Sequence, residues 1–208
     1  MRERQTHMGK LVSVVGNSGA GKTTLVRRLC TLIPLQPALE EHGERPFQQL
    51  FADDLTRYGL ANQVDYLLLR AEQERTARAV SATAIHDGGL DLDFHGFAKL
   101  FWHKGYLSGA EYALCERLYT TLRACLPPPD LVIYLMTPVA LAERRYRARS
   151  RPLEIARLED LALLHSLVDT WVATLPADRV LRVDVSAPEY GSDHSVAQIA
   201  EHIMLLAG

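Results

Sequence analysis

The chain has 208 residues, enough for one compact domain at the usual size of about 100–200 residues per domain. Hydrophobic residues make up 48% and charged residues 23%, a globular composition that excludes a disordered or fibrous chain. Twenty-three basic residues stand against 25 acidic ones for a net charge of −2, without the basic excess of a dedicated nucleic-acid binder.

In chain order, residues 1–8 read as a loose, charged tail and residues 9–208 as a single domain. LVSVV (11–15) is a β-branched apolar run stopped by Gly16 and reads as a buried strand. Residues 23–32 carry helical spacing, with Leu25, Leu29 and Leu32 on one side. Pro34 and Pro37 end that helical pattern, and a short second strand is expected around 39–41. A long helix is expected from Leu60 to Ala82, then a third strand over 82–87 stopped by Gly88-Gly89. Residues 94–104 and 109–125 read as two helices joined at Gly105, and Pro127-Pro128-Pro129 ends the second. LVIYLM (131–136) is the clearest central strand. An arginine-rich helix comes after Pro138, then a helix over 158–174, a strand over 180–185 and a closing amphipathic helix from Val196. Strands alternating with helices imply a five-stranded parallel sheet, helices on both faces, and a site at the carboxyl ends of the strands.

No apolar run approaches the roughly 18 residues that span a bilayer, and the charged N-terminus lacks the apolar segment of a signal peptide. Cys30, Cys115 and Cys125 lack metal-type spacing and read as idle thiols of a reducing, cytoplasmic compartment.

Gly16-Asn17-Ser18-Gly19-Ala20-Gly21-Lys22-Thr23 fits G-x-x-x-x-G-K-[ST], placed after a strand and opening a helix. In such a loop the backbone N–H groups and the helix N-terminus face phosphate oxygens. Lys22 is expected to reach the β- and γ-phosphates, the Thr23 hydroxyl to ligate Mg²⁺, and Thr24 to complete the phosphate-facing set. A nucleoside triphosphate is therefore expected, with ATP and Mg²⁺ as cofactors. No guanine-reading N-K-x-D stretch is present, and LVIYLM leads into Thr137-Pro138 instead of an acidic pair. A small kinase remains.

Residues 39–47 (LEEHGERPF) place carboxylates where a strand end would face the phosphate loop, suited to taking a proton from an attacking hydroxyl. Taken alone, the same acids read first as solvated loop charges. Arg144, Arg145, Arg147, Arg149 and Arg151 supply planar donors for phosphate. They also read as a solvated helix face or a nucleic-acid patch. Phe94, Phe97, Phe101 and Trp102 have the spacing of core, and His86 reads as a strand-packing histidine.

Glu40 with Pro46-Phe47, Gln63 in NQVDYLLLR, Asp87 to Asp93 with Phe97-Ala98, and Arg144 to Arg151 with Glu154 form an ordered series. In that order the series resembles the deoxynucleoside kinase family, above all its bacterial purine branch, from Lys10 to the final helix. The resemblance implies a P-loop kinase fold with an arginine-rich lid. It also implies ATP-dependent phosphorylation of a deoxynucleoside 5′-hydroxyl in nucleotide salvage, with a purine favoured. It makes Glu40 the catalytic carboxylate, Gln63 the base-reading amide, and Asp93 the acid that helps fix the base. Asp87 takes the acidic place of the Asp/Glu-Arg-Ser motif, and Arg144, Arg149 and Arg151 fall in the lid. Tyr58 and Glu111 lie in regions suited to the sugar 3′-hydroxyl, beside Tyr112 and Glu116. The helix pair between 94 and 125 offers a surface for a homodimer.

The sequence departs from the motif after Asp87, where Gly88-Gly89 replace Arg-Ser. A charge-assisted hydrogen bond contributes about 1.5–3 kcal/mol, so losing that arginine is expected to slow turnover roughly 10- to 150-fold. The retained general base is worth about 10²–10⁴-fold. Arg45 and Arg70 are the nearby arginines able to substitute. A weakened enzyme, a non-enzymatic nucleotide binder and a kinase of another hydroxylated acceptor are the alternatives.

Overall fold

Two apolar runs, Leu11–Gly16 (β1) and Leu131–Met136 (β4), lie side by side at the centre of a five-stranded sheet in the computed structural model of the protein. The structure describes residues 8–38, 45–148 and 157–207. Gln36–Ala38 (β2), Ala84–Asp87 (β3) and Val180–Asp184 (β5) complete the sheet in the order β2-β3-β1-β4-β5, every pair parallel. All carboxyl ends therefore open on one edge, where β1 passes into the phosphate loop and β3 ends at Asp87.

The helices cover both faces, and the two-residue period of β4 shows why. Leu131, Ile133 and Leu135 pack with β1 residues Val12 and Val14 against Lys22–Leu32 (α1) and Asp193–Ala207 (α9). Val132 and Tyr134 point the other way, into a second cluster with Leu55–Ala77 (α3), Gly109–Cys125 (α6) and Leu161–Val172 (α8). Each fully buried aliphatic side chain contributes about 1.5–3 kcal/mol. A charge at Ile133, which is fully buried, would break the sheet's centre.

The elements keep the expected order, with local differences. The second strand is Gln36–Ala38, ahead of the expected 39–41, and residues 39–41 lie outside the described residues. It is a three-residue edge strand containing Pro37 and largely exposed, so it carries no apolar run to read. Pro46–Asp53 (α2) is a helix beyond the expected set; Pro46 opens it and Phe51 anchors it. Helix α3 begins at Leu55 because Asp54 caps it, accepting from the Arg57 backbone N–H at 3.0 Å, and it ends at Ala77 instead of Ala82. The next helical stretch starts at Leu90 instead of 94. It runs as Leu90–Leu92 (α4), a π-helical Asp93–Ala98 and Lys99–His103 (α5). Val139–Ala148 (α7) is the arginine-rich helix.

Candidate active site

The phosphate loop is held by its neighbours on three sides. Asn17 Nδ2 donates to the Leu161 carbonyl at 2.8 Å, fixing the loop to the start of α8, while its Oδ1 accepts from the Ser18 backbone N–H at 2.9 Å. Arg145, from α7, donates to the Ala20 carbonyl at 3.2 Å. A Cβ on Gly19 would stand 2.8 Å from the Ala142 carbonyl, so only glycine lets α7 approach this closely. Lys22 opens α1 and folds back, donating to the carbonyls of Gly16 (3.2 Å) and Asn17 (3.0 Å). The loop is thus shaped within the chain itself, its lysine parked on the strand-to-loop carbonyls.

At the opposite wall, Thr23 Oγ1 donates to Asp87 Oδ2. Asp87 is buried at the end of β3. The hydroxyl and the carboxylate are hard oxygen donors, the set Mg²⁺ prefers, so these residues fit the ion that the phosphate loop implies.

Gly88 and Gly89 come next, with φ of +88° and +103°. Both lie in the left-handed region that side chains rarely adopt, so the turn after Asp87 is built for glycine and would strain an arginine. A Cβ on Gly88 would stand 3.8 Å from Arg70 Nη2. Arg45, the other arginine near enough to be considered, is paired with Asp65 at 2.7 Å.

Beyond the glycines, α3 and the π-helical turn form a second wall. Gln63 Nε2 donates to the Asp93 carbonyl at 3.0 Å, and Arg70 Nε meets Asp93 Oδ2 at 2.7 Å, all three side chains buried. The structure therefore joins Gln63, Asp93 and Arg70 into one cluster beside Asp87. Arg70 carries no motif of its own; its place seven residues after Gln63, two helical turns on, is the signal that puts both on one face of α3.

Other expected site residues sit elsewhere. Glu111 accepts from the Ser108 backbone N–H and hydroxyl, both at 2.7 Å, in the capping box of α6. Those bonds hold its carboxyl below the usual carboxylate range. Tyr58 lies half-buried on α3 with the Arg57 guanidinium 5.2 Å from its ring. Glu40, Arg149 and Arg151 lie outside the described residues. Arg144 and Arg145 line a cavity of about 460 Å³ with Pro138, Leu141, Val185 and Ser186, next to the phosphate loop through the Arg145–Ala20 bond.

Beneath the site lies a buried polar network. Glu74 receives Arg78 Nε at 3.0 Å and Arg123 Nη2 at 2.6 Å, Arg123 pairs with Asp91 at 3.0 Å, and the Tyr119 hydroxyl donates to Asp91 at 2.7 Å. His86 is sealed beside it, and its pKa is pushed down to about 3 by burial and by the charges of Arg70, Arg123 and Arg78. It stays neutral at ordinary pH, as a strand-packing histidine should. Phe94 and Phe101 are core, while Trp102 is 43% exposed and stacks on Tyr112.

Among the described residues no helix is long and apolar enough to cross a membrane. The fold matches solved structures of a deoxyadenosine kinase from M. mycoides. One holds dCTP (TM-score 0.77) and another dATP (TM-score 0.78), each 20% identical and covering 93% of this chain and 98% of that one. In sequence the chain is similar to a deoxyadenosine/deoxycytidine kinase of Bacillus subtilis, 24% identical over 98% of this chain and 95% of the relative. It is also similar to a deoxyadenosine kinase of Dictyostelium discoideum, 27% identical over 73% of this chain and 62% of the relative. The Deoxynucleoside kinase family model matches residues 12–205. With the phosphate loop, the parallel sheet and a match across nearly its whole length, the chain belongs to the deoxynucleoside kinase family.

Proposed function

We propose that the protein transfers the γ-phosphate of ATP to the 5′-hydroxyl of a deoxynucleoside, a purine deoxynucleoside foremost, in nucleotide salvage. The observation that carries this reading is the pairing of two walls across the carboxyl edge of the sheet. One is the phosphate loop with Lys22, Thr23 and Asp87; the other is the buried Gln63–Asp93–Arg70 cluster.

In this reading the ATP phosphates lie along the backbone N–H groups of residues 16–24, with Lys22 released from its carbonyls to meet the β- and γ-phosphates. Arg144 and Arg145 meet the donor nucleotide from α7, joined by Arg149 and Arg151 of the lid. Thr23 and Asp87 hold Mg²⁺, which when bound neutralises charge on the phosphates. Glu40 accepts the proton of the sugar 5′-hydroxyl as its oxygen attacks the γ-phosphorus. The bond to the β-phosphate bridging oxygen breaks, leaving ADP and a deoxynucleoside 5′-monophosphate. Gln63 and Asp93 orient the base. Arg70, paired with Asp93 and with its Nη2 3.8 Å from the point where a side chain at 88 would begin, takes over the charge-neutralising role of the missing arginine. The test of the proton acceptor is Glu40→Gln. It should lower kcat at least a hundredfold while ATP binding survives, and an unchanged kcat would remove Glu40 from this role.

The Gly88-Gly89 turn favours a second reading, a weakened enzyme or a nucleotide-binding protein on the same scaffold. It predicts tight binding of ATP or a deoxynucleoside triphosphate without transfer, and product nucleotide would end it. We place the protein in the reducing cytoplasm, where Cys30, Cys115 and Cys125 stay unbridged. We also propose that two copies pair across the outer faces of α5 and α6, where Trp102 and Leu114 are exposed. Sedimentation at micromolar concentration should give twice the chain mass, and a single chain mass would refute the pairing.

A further inference from the structure

Asn62 is fully buried, yet neither its side-chain oxygen nor its side-chain nitrogen has a hydrogen-bond partner. An amide sealed from water without partners is costly, and native chains rarely keep one unless something outside the chain completes it. Its place on α3 points to what that is. At about 100° per residue, Gln63, Arg70, Gly59, Tyr66 and Asn62 succeed one another around a single arc of the helix, all of them buried. Gln63 and Arg70 reach Asp93 at one end of this arc, and Asn62 closes the other. Tyr66, itself buried, lies between them with the Arg45 guanidinium 6.0 Å from its ring. The arc is thus lined by two amides: Gln63, anchored by one N–H, and Asn62, with two N–H donors and a carbonyl acceptor all unused.

We propose that Asn62 is a specificity-determining residue that hydrogen-bonds the base of the acceptor nucleoside beside Gln63. The assignment rests on the deoxynucleoside reading of the site. A purine presents two polar edges and a pyrimidine essentially one, so two amides on one arc match a purine best. An Asn amide reads adenine by pairing as donor and acceptor at once.

The test is Asn62→Leu, close in size and unable to hydrogen-bond, with Asn62→Ala as the second variant. Thermal shift and steady-state kinetics are measured with each deoxynucleoside and with ATP alone. Removing an orphaned amide should leave the ligand-free Tm equal or higher. The stabilisation by purine deoxynucleosides should shrink and their KM rise about 10- to 100-fold, with the KM for ATP unchanged and pyrimidine deoxynucleosides changed less than threefold. Unchanged purine affinity, or a lowered ligand-free Tm with affinities intact, would overturn the role of Asn62 and leave the deoxynucleoside reading standing. If no deoxynucleoside shifts the wild-type Tm, that reading itself fails, and the role of Asn62 fails with it.

Discussion

The Thr23 hydroxyl is hydrogen-bonded to the Asp87 carboxylate, joining the first turn of the phosphate-loop helix to the end of β3. These residues are 64 positions apart in the chain, and the parallel pairing of β1 with β3 is what brings them together. Asp87→Asn keeps the shape but weakens the pull on a cation, since a neutral amide oxygen replaces a carboxylate. We expect the Mg²⁺ concentration for half-maximal activity to rise at least tenfold and kcat to fall about 10²-fold, in line with losing one electrostatic stabiliser. Titrating activity against Mg²⁺ at fixed ATP checks this, and an unchanged Mg²⁺ dependence would contradict it.

Gly88→Arg would restore the family residue in sequence but not in structure. The positive φ at Gly88 costs a side chain roughly 1–2 kcal/mol, and an added guanidinium would meet the like charge of Arg70, whose Nη2 lies 3.8 Å from the Cβ position. The expected result is a lowered Tm with no gain in kcat. Arg70→Met should instead lower kcat/KM for the acceptor about 10- to 150-fold, the loss of one charge-assisted hydrogen bond. A faster Gly88→Arg enzyme would show that the glycine turn, and not Arg70, governs the charge at this point.

Glu74 carries the structural prediction. It is fully buried and is the carboxylate for both Arg78 and Arg123. Glu74→Gln removes the carboxylate these two guanidinium groups share, leaving Arg123 to Asp91 and Arg78 to Asp130 at 3.5 Å, a loss of about 1–3 kcal/mol. Chemical denaturation should show a loss of that size with an unchanged m-value. A loss below about 1 kcal/mol would show that the network has no such weight.

Stability should also fall with acid through two histidines, His86 buried and His95 half-buried. His86 is held down to about 3 and His95 to about 4, in both cases chiefly by burial, against 6.5 for the free side chain. Between the folded and unfolded values the unfolded chain binds the extra protons. Stability is therefore complete above about pH 6.5 and declines towards pH 3–4, by up to about 1.4 kcal/mol per pH unit for each histidine. His86→Gln should flatten this slope relative to the parent protein; an identical slope would remove His86 as a cause.

The features legible in the sequence are those written in local patterns. The apolar runs of β1 and β4, the phosphate loop between Gly16 and Thr23, and the arginines after Pro138 each announce themselves within a dozen residues. Gln63 and Asp93 are legible only through resemblance, since nothing local says that a helix amide will meet a carbonyl 30 residues on. Strand β2 lies ahead of its expected place because a short, proline-containing edge strand has no burial pattern to betray it. The buried state of Asn62 and the closeness of Arg70 to Gly88 depend on how α3 packs against β3 and the π-helical turn, which no periodicity encodes.

The most direct measurement is formation of a deoxynucleoside 5′-monophosphate from Mg·ATP, screened over the four deoxynucleosides and their ribose counterparts. ADP and monophosphate should form in equal amounts, dependent on added deoxynucleoside and greatest with a purine. ATP bound tightly, with no monophosphate from any of the eight acceptors, would contradict a kinase built on these two walls.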